Sequence, residues 1–181
     1  MTRRRLFVAP FLAQPCFAQY EDSRLGDTPW VPTPDKVIAT MLGLAQVTTK
    51  DTVYDLGCGD GRIVIAAARD FGDRGVGIDI EPERILEANE AARQAKVARR
   101  VRFLLQDLHQ AKISSATVVT IYLFTKVMAR LKPKLLAELK PGTRIVAYQF
   151  NGLGDWQPEE VVRTHDHPVY RWTVPRAASS R

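Results

Sequence analysis

The residues best suited to chemistry lie in one run, Val53-Tyr54-Asp55-Leu56-Gly57-Cys58-Gly59-Asp60-Gly61-Arg62, where an apolar segment meets three glycines at alternate positions. Glycine reaches positive φ and lets the backbone come close to a ligand, while a helix starting there aims unpaired amides at it. The spacing matches neither the G-x-G-x-x-G of a dinucleotide fingerprint nor the G-K-[ST] ending of a phosphate loop. Asp55 opposes a bare pyrophosphate at this spot and suits an ammonium group or a hydroxyl. A second carboxylate follows in Gly77-Ile78-Asp79-Ile80 and a third in Gln106-Asp107-Leu108. An acid at the strand tip beside the glycine loop can hold a ribose diol. Asp107 can meet an exocyclic amine or neighbouring amides, although an acid so placed is otherwise a turn or cap residue.

These groups need elements to hold them. Short β-branched runs at 52–56, 75–80, 101–106, 117–123 and 144–150 alternate with segments of helical period at 34–45, 62–71, 83–95 and 126–139. That alternation predicts βαβ units around a mostly parallel sheet, with the five strands buried on both faces. Two further runs, 161–164 and 169–174, flank His165-Asp166-His167-Pro168 and predict an antiparallel hairpin that closes the sheet. The fold class is therefore α/β, Rossmann-like and doubly wound. Thr33-Pro34-Asp35 reads as an N-cap, a proline in the first helical position and an acid in the first turn. Gly72 follows the second helix, Pro82 opens the third, and Pro133 should kink or restart the fourth. The His-x-His pair reads as turn chemistry rather than a metal site, since only His109 remains elsewhere.

The chain has 181 residues, 45% hydrophobic and 25% charged, which is the composition of one globular domain with a real core and excludes disordered or repeat-built classes. Of the formal charge of +6, Arg3, Arg4 and Arg5 supply half, and no acid precedes Glu21. A basic nucleic-acid face is thus weakly supported, and no specific nucleic-acid partner is expected. Two cysteines, Cys16 and Cys58, cannot build a disulfide framework. Residues 1–18 carry the three arginines, an apolar stretch and a Cys16-Phe17-Ala18 end, like a secretory signal peptide or an organellar transit peptide. They are expected to be a removable or tethering segment that would allow membrane association, and the alternative is an N-terminal tail. Export and membrane association follow from that segment; a cytoplasmic location follows from the supply of the cofactor named below. The organisation expected is this segment, a covering segment with its helix at 19–50, a core at 51–176 and a tail at 177–181.

With Asp55-Leu56-Gly57-Cys58-Gly59-Asp60-Gly61 as the glycine motif, Asp79 and Asp107, the sequence resembles the class I S-adenosylmethionine-dependent methyltransferases over most of residues 29–175. Trp30-Val31-Pro32-Thr33-Pro34, the 53–65 block, Ala116-Thr117-Val118-Val119-Thr120-Ile121-Tyr122-Leu123, Leu131-Lys132-Pro133-Lys134-Leu135 and 138–144 look like the small seven-strand protein-lysine methyltransferases. The resemblance implies S-adenosylmethionine held by Asp55, Gly57, Gly59, Asp60, Asp79, Ile80, Asp107 and Leu108, under a cover that includes Thr33. It also implies that the Thr120–Leu123 strand end faces the acceptor, a protein with an exposed lysine. Lys126 and Tyr148-Gln149 depart from the family, where a polar amide and a His with an acid are usual.

Methyl transfer from a sulfonium needs in-line approach and a desolvated acceptor, so positioning carries most of the catalysis. A lysine must lose its proton first, and a dry aromatic channel favours the neutral amine. Tyr122 is the candidate catalytic residue, with Trp30 and Phe150 as channel walls. Tyr122 and Phe150 read equally well as strand-end core residues, and Trp30 as a pin for the N-terminal segment. Thr120-Ile121-Tyr122-Leu123 matches no nucleic-acid methylation motif, and Pro15-Cys16 lies in the presumed targeting segment. Small-molecule methylation and a noncatalytic S-adenosylmethionine-binding relic are the competing readings. The short Gly-rich connection at 151–160 leaves little room for a lid, which suits a protruding side chain of a macromolecule.

Overall fold

Seven strands form one sheet in the computed structural model, which describes residues 30–72 and 74–176. β1 (Thr52–Leu56), β2 (Arg74–Asp79), β3 (Val101–Leu105), β4 (Val118–Ile121) and β5 (Arg144–Tyr148) are parallel and lie in the order β3-β2-β1-β4-β5. β6 (Glu160–Arg163) and β7 (Pro168–Thr173) make the antiparallel hairpin, with β7 set between β5 and β6. In its turn the Thr164 hydroxyl donates to the His167 carbonyl at 2.5 Å, and the His167 N–H donates back to that hydroxyl at 3.3 Å. The strand order reverses between β1 and β4, the place where open α/β sheets bind ligands outside their carboxyl ends.

The two-residue period of the strands divides their side chains between two cores. Val53, Val118 and Val146 pack with Ile38, Met41, Ile63 and Ala67 of α1 (Asp35–Leu44) and α2 (Arg62–Asp70). Tyr54, Leu56, Val119, Ile121 and Ile145 point the other way, onto Met128, Leu131 and Leu135 of α4 (Thr125–Glu138) and onto Trp172. α3 (Pro82–Gln94) adds Ala92 to a third cluster with Val64, Ala68 and Val101. Each fully buried aliphatic side chain contributes about 1.5–3 kcal/mol, so two stacked layers position the strand tips firmly. By parity Asp55, Thr120 and Tyr122 fall on the α1–α2 side, and the register sets Asp55 opposite Thr120.

Four expectations are corrected. β3 is not buried on both faces, because it forms the sheet edge and leaves Arg102 and Leu105 exposed. Pro34, not Thr33, occupies the N-cap: its own ψ of 144° is extended, so the helix starts at Asp35 and no side chain caps it. Pro133 does not restart the fourth helix: it lies on the exposed side of an uninterrupted α4, and Ala129, whose carbonyl it deprives of a donor, is exposed as well. β4 and β5 stop at Ile121 and Tyr148 rather than 123 and 150, and Gln149 has a left-handed φ of 67° that ends the strand. The signal-like segment 1–18 with Cys16, and the tail at 177–181, lie outside the described residues.

Candidate active site

The glycine loop is built from its backbone. The amides of Gly57 and Cys58 both donate to the Ile78 carbonyl, at 2.9 and 3.0 Å, which fastens the end of β1 to β2. Gly57, Gly59 and Gly61 all have positive φ, and Gly61 is the N-cap of α2. At Gly59 the constraint is also steric: a β-carbon there would lie 2.2 Å from the Trp30 indole nitrogen. At Gly61 it would meet the Phe103 ring at 2.5 Å, so the loop also lets α2 settle against β3. Cys58 is buried beneath the loop, and burial first, then Asp55 and Asp79, push its thiol up, so it stays neutral packing.

A cavity of about 230 Å³ opens at these strand tips. Asp55, Gly57 and Asp60 line it from the loop, Asp79 and Ile80 from the end of β2, and Asp107 and Leu108 from the segment after β3. Trp30 and Thr33 line it from above, and Tyr122 and Phe150 from the tips of β4 and β5. Every candidate site residue named from the sequence therefore lines this one cavity except Gly59, which packs against Trp30 instead. No group of three or more His, Cys, Asp or Glu residues among the described residues is arranged to hold a metal ion.

The carboxylates do different work. Asp79 accepts the Gly59 amide at 2.7 Å with one oxygen and the Glu81 amide at 3.0 Å with the other, so it holds the loop to β2. Asp55 is 3% exposed and accepts the Thr120 hydroxyl at 2.7 Å. Burial pushes its carboxyl up to about 7, against the Thr120 hydrogen bond and with help from Asp79 and Asp60. Asp60 is occupied by Arg62, which donates to its two oxygens at 2.9 and 2.6 Å and to the Thr33 carbonyl at 3.2 Å. Asp107 accepts the His109 amide at 2.8 Å.

The far wall is aromatic. The Tyr122 ring lies 4.8 Å from that of Tyr148 and 6.3 Å from that of Phe150, and Phe150 meets Phe124 edge-on at 5.4 Å. The Tyr122 hydroxyl donates to the Gln149 side-chain carbonyl at 2.9 Å, and burial pushes its phenol above the ordinary value. Tyr122 is accordingly a neutral phenol, not a base in waiting.

Sequence reasoning missed Arg62 and Arg84 as site residues. Arg84 places its guanidinium 4.5 Å from the Trp30 ring centroid and Arg62 places its own at 5.8 Å. Arg62 was within reach, since it directly follows the glycines; Arg84 carries no signal, looking like any helix-surface arginine with its partner Glu87 three residues on. Phe124 and Val127, which also line the cavity, were hidden in a run that reads as strand end and helix.

A family model described as the ANTKMT methyltransferase domain matches residues 55–160. The chain is 47% identical over 151 residues to the protein-lysine N-methyltransferase of Saccharolobus islandicus, covering 81% of this chain and 93% of that one. It is 33% identical over 122 residues to the adenine nucleotide translocase lysine N-methyltransferase of Mus musculus, covering 67% of this chain but 53% of that protein. Among solved structures, one described as an RNA methyltransferase from Salinibacter ruber, in complex with S-adenosyl-L-homocysteine, superimposes with a TM-score of 0.80 at 48% identity, covering 83% of this chain and 98% of that one. The glycine loop, the three strand-tip carboxylates and these likenesses agree: the chain belongs to the ANTKMT methyltransferase-domain family and is an S-adenosylmethionine-dependent methyltransferase.

Proposed function

We propose that the protein methylates lysine side chains of other proteins, and that the aromatic wall of Tyr122, Phe150 and Phe124 is the acceptor channel. The carrying observation is that this aromatic wall, at the tips of β4 and β5, lines the same cavity as the glycine loop and its carboxylates. The names of the Saccharolobus and Mus relatives support the same acceptor.

The donor set suits S-adenosylmethionine. Asp79 would take the ribose hydroxyls and Asp107 the adenine amine, while Ile80, 57% exposed at the tip of β2, and Leu108 offer apolar surface to the purine. Asp55 would receive the ammonium group, and the backbone of Gly57 and Gly59 leaves room for the chain of the ligand. Thr33 and Trp30 would cover it, and Asp60 would act by fixing Arg62 beneath that cover. When bound, the cofactor supplies a methyl group already activated on a sulfonium, so the protein need only bring a nucleophile in line. The acceptor nitrogen arrives with a free lone pair only after losing its proton, and the aromatic wall favours the neutral amine by desolvating it. The proton leaves to solvent, because Tyr122 is already protonated.

An RNA acceptor is the second reading, favoured by the description of the Salinibacter structure. Against it, the two arginines at the cavity are engaged with Asp60, Glu87 and the Trp30 ring rather than offered to phosphate. Incubation with tritiated-methyl S-adenosylmethionine and host extract decides between them. Label that survives ribonuclease and is recovered as methyl-lysine establishes the proposal; label removed by ribonuclease transfers it to RNA, and binding without label points to a small-molecule enzyme or a relic. Residues 1–18 enter this proposal as a removable or tethering segment ahead of a covering segment at 19–50 and a core at 51–176. The mass of the mature N-terminus tests this: loss of residues 1–18 marks the segment as removable and its retention as a tether, and cleavage after Ala18 would put the domain outside the cytosol and weaken the enzyme reading.

A further inference from the structure

Gln149 is the one described residue at the site whose backbone is held against its preference. Its φ of 67° is in the left-handed region, which a residue with a β-carbon adopts at a cost. The turn is fixed on both sides: the Gln149 amide donates to the Pro168 carbonyl at 2.8 Å, and the Phe150 amide donates to the Tyr148 carbonyl at 2.8 Å. It follows Tyr148, the last residue of β5, and its side-chain carbonyl accepts the Tyr122 hydroxyl at 2.9 Å. A phenol has one proton and two acceptor lone pairs. With the proton committed to Gln149, the oxygen can serve other groups only as an acceptor.

We propose that Gln149 is a positioning residue for methyl transfer: by taking the Tyr122 proton it leaves that oxygen as a hydrogen-bond acceptor for an N–H of the incoming amine. An amine that donates one N–H to Tyr122 has its lone pair directed elsewhere, which orients it for attack. The inference rests on the lysine reading above.

The test uses the full chain with poly-L-lysine and tritiated-methyl S-adenosylmethionine, comparing Gln149→Met, Gln149→Gly and Gln149→Glu. Gln149→Met keeps the length and removes the acceptor; it is expected to lower kcat about tenfold, with KM for S-adenosylmethionine unchanged. Gln149→Gly relieves the backbone, so its Tm should equal or exceed that of the parent while its kcat falls as far as that of the Met variant. Gln149→Glu keeps an acceptor for the phenol proton and should hold kcat within about threefold of the parent. The proposal is overturned if the Met and Gly variants transfer methyl at the parental rate, or if the Glu variant is as slow as the Met variant. If the parent binds S-adenosylmethionine yet labels no poly-lysine, the lysine reading fails by itself. Ultraviolet titration of Tyr122, read as the difference from Tyr122→Phe, then decides the positioning. Loss of the Gln149 acceptor should lower the Tyr122 midpoint, and an unchanged midpoint in Gln149→Met overturns the proposal.

Discussion

The two sides of the cavity are made differently. On the loop side, Gly57 to Gly61, Asp79 and Asp107 follow three neighbouring parallel strands, and most of the contacts run through backbone amides. On the opposite side the wall is side chains alone, Tyr122 and Phe124 from one strand tip and Phe150 from another, held by ring packing and one hydrogen bond to Gln149. A site that must hold one unvarying ligand is suited to backbone and carboxylates at fixed spacing. A site that must admit one class of acceptor is suited to exchangeable side chains on short loops.

Substitutions can break this division, and the largest effect belongs to the loop side. Asp79→Ala should weaken S-adenosylmethionine binding by about a hundredfold or more by calorimetry, because it removes the proposed ribose partner and frees the Gly59 amide together. Gly59→Ala comes next, at about tenfold to a hundredfold, since the new β-carbon must displace Trp30 and accept a φ of 52°. Tyr122→Phe removes only a hydroxyl: kcat should fall about tenfold while the S-adenosylmethionine Kd stays the same, and a changed Kd would erase the distinction between the two sides.

Asp55 supplies the pH dependence. Its carboxyl is raised from 3.8 to about 7 in the folded chain, so between those values the folded state keeps a proton that the unfolded state has lost. Stability therefore falls as pH rises through this window, and Asp55→Asn should flatten the fall seen in urea titrations. Affinity for S-adenosylmethionine should move the other way, rising from about pH 6 to about pH 8, because in the proposed site its ammonium group pairs with the ionised carboxylate. The smallest expected effect is that of Arg84→Ala, about threefold in S-adenosylmethionine Kd, from loss of the cation over an exposed Trp30 ring.

The loop side was legible before any coordinates. Alternate glycines after a β-branched run and acids at the ends of the next two runs are local patterns, and local patterns determine which strand tips carry which groups. The parallel sheet and its closing hairpin follow from the same alternation of periods. Pro133 does not divide α4 because a proline rule speaks of the backbone alone, while Pro133 and Ala129 both lie on an exposed helix face. β3 misled because its sequence does not say that it ends the sheet.

What the chain by itself determined is thus the proposed cofactor half of the site: residue type and spacing along consecutive βα units are enough to bring these groups together, since each unit delivers its own tip. Tyr122 and Phe150 of the proposed acceptor half were named from the sequence as well, but the tertiary structure decided what they touch. The contacts between Tyr122 and Gln149 and between Phe124 and Phe150 join residues 27 and 26 positions apart. Only the order in which the strands assemble, and where β4 and β5 end, brings such pairs within reach.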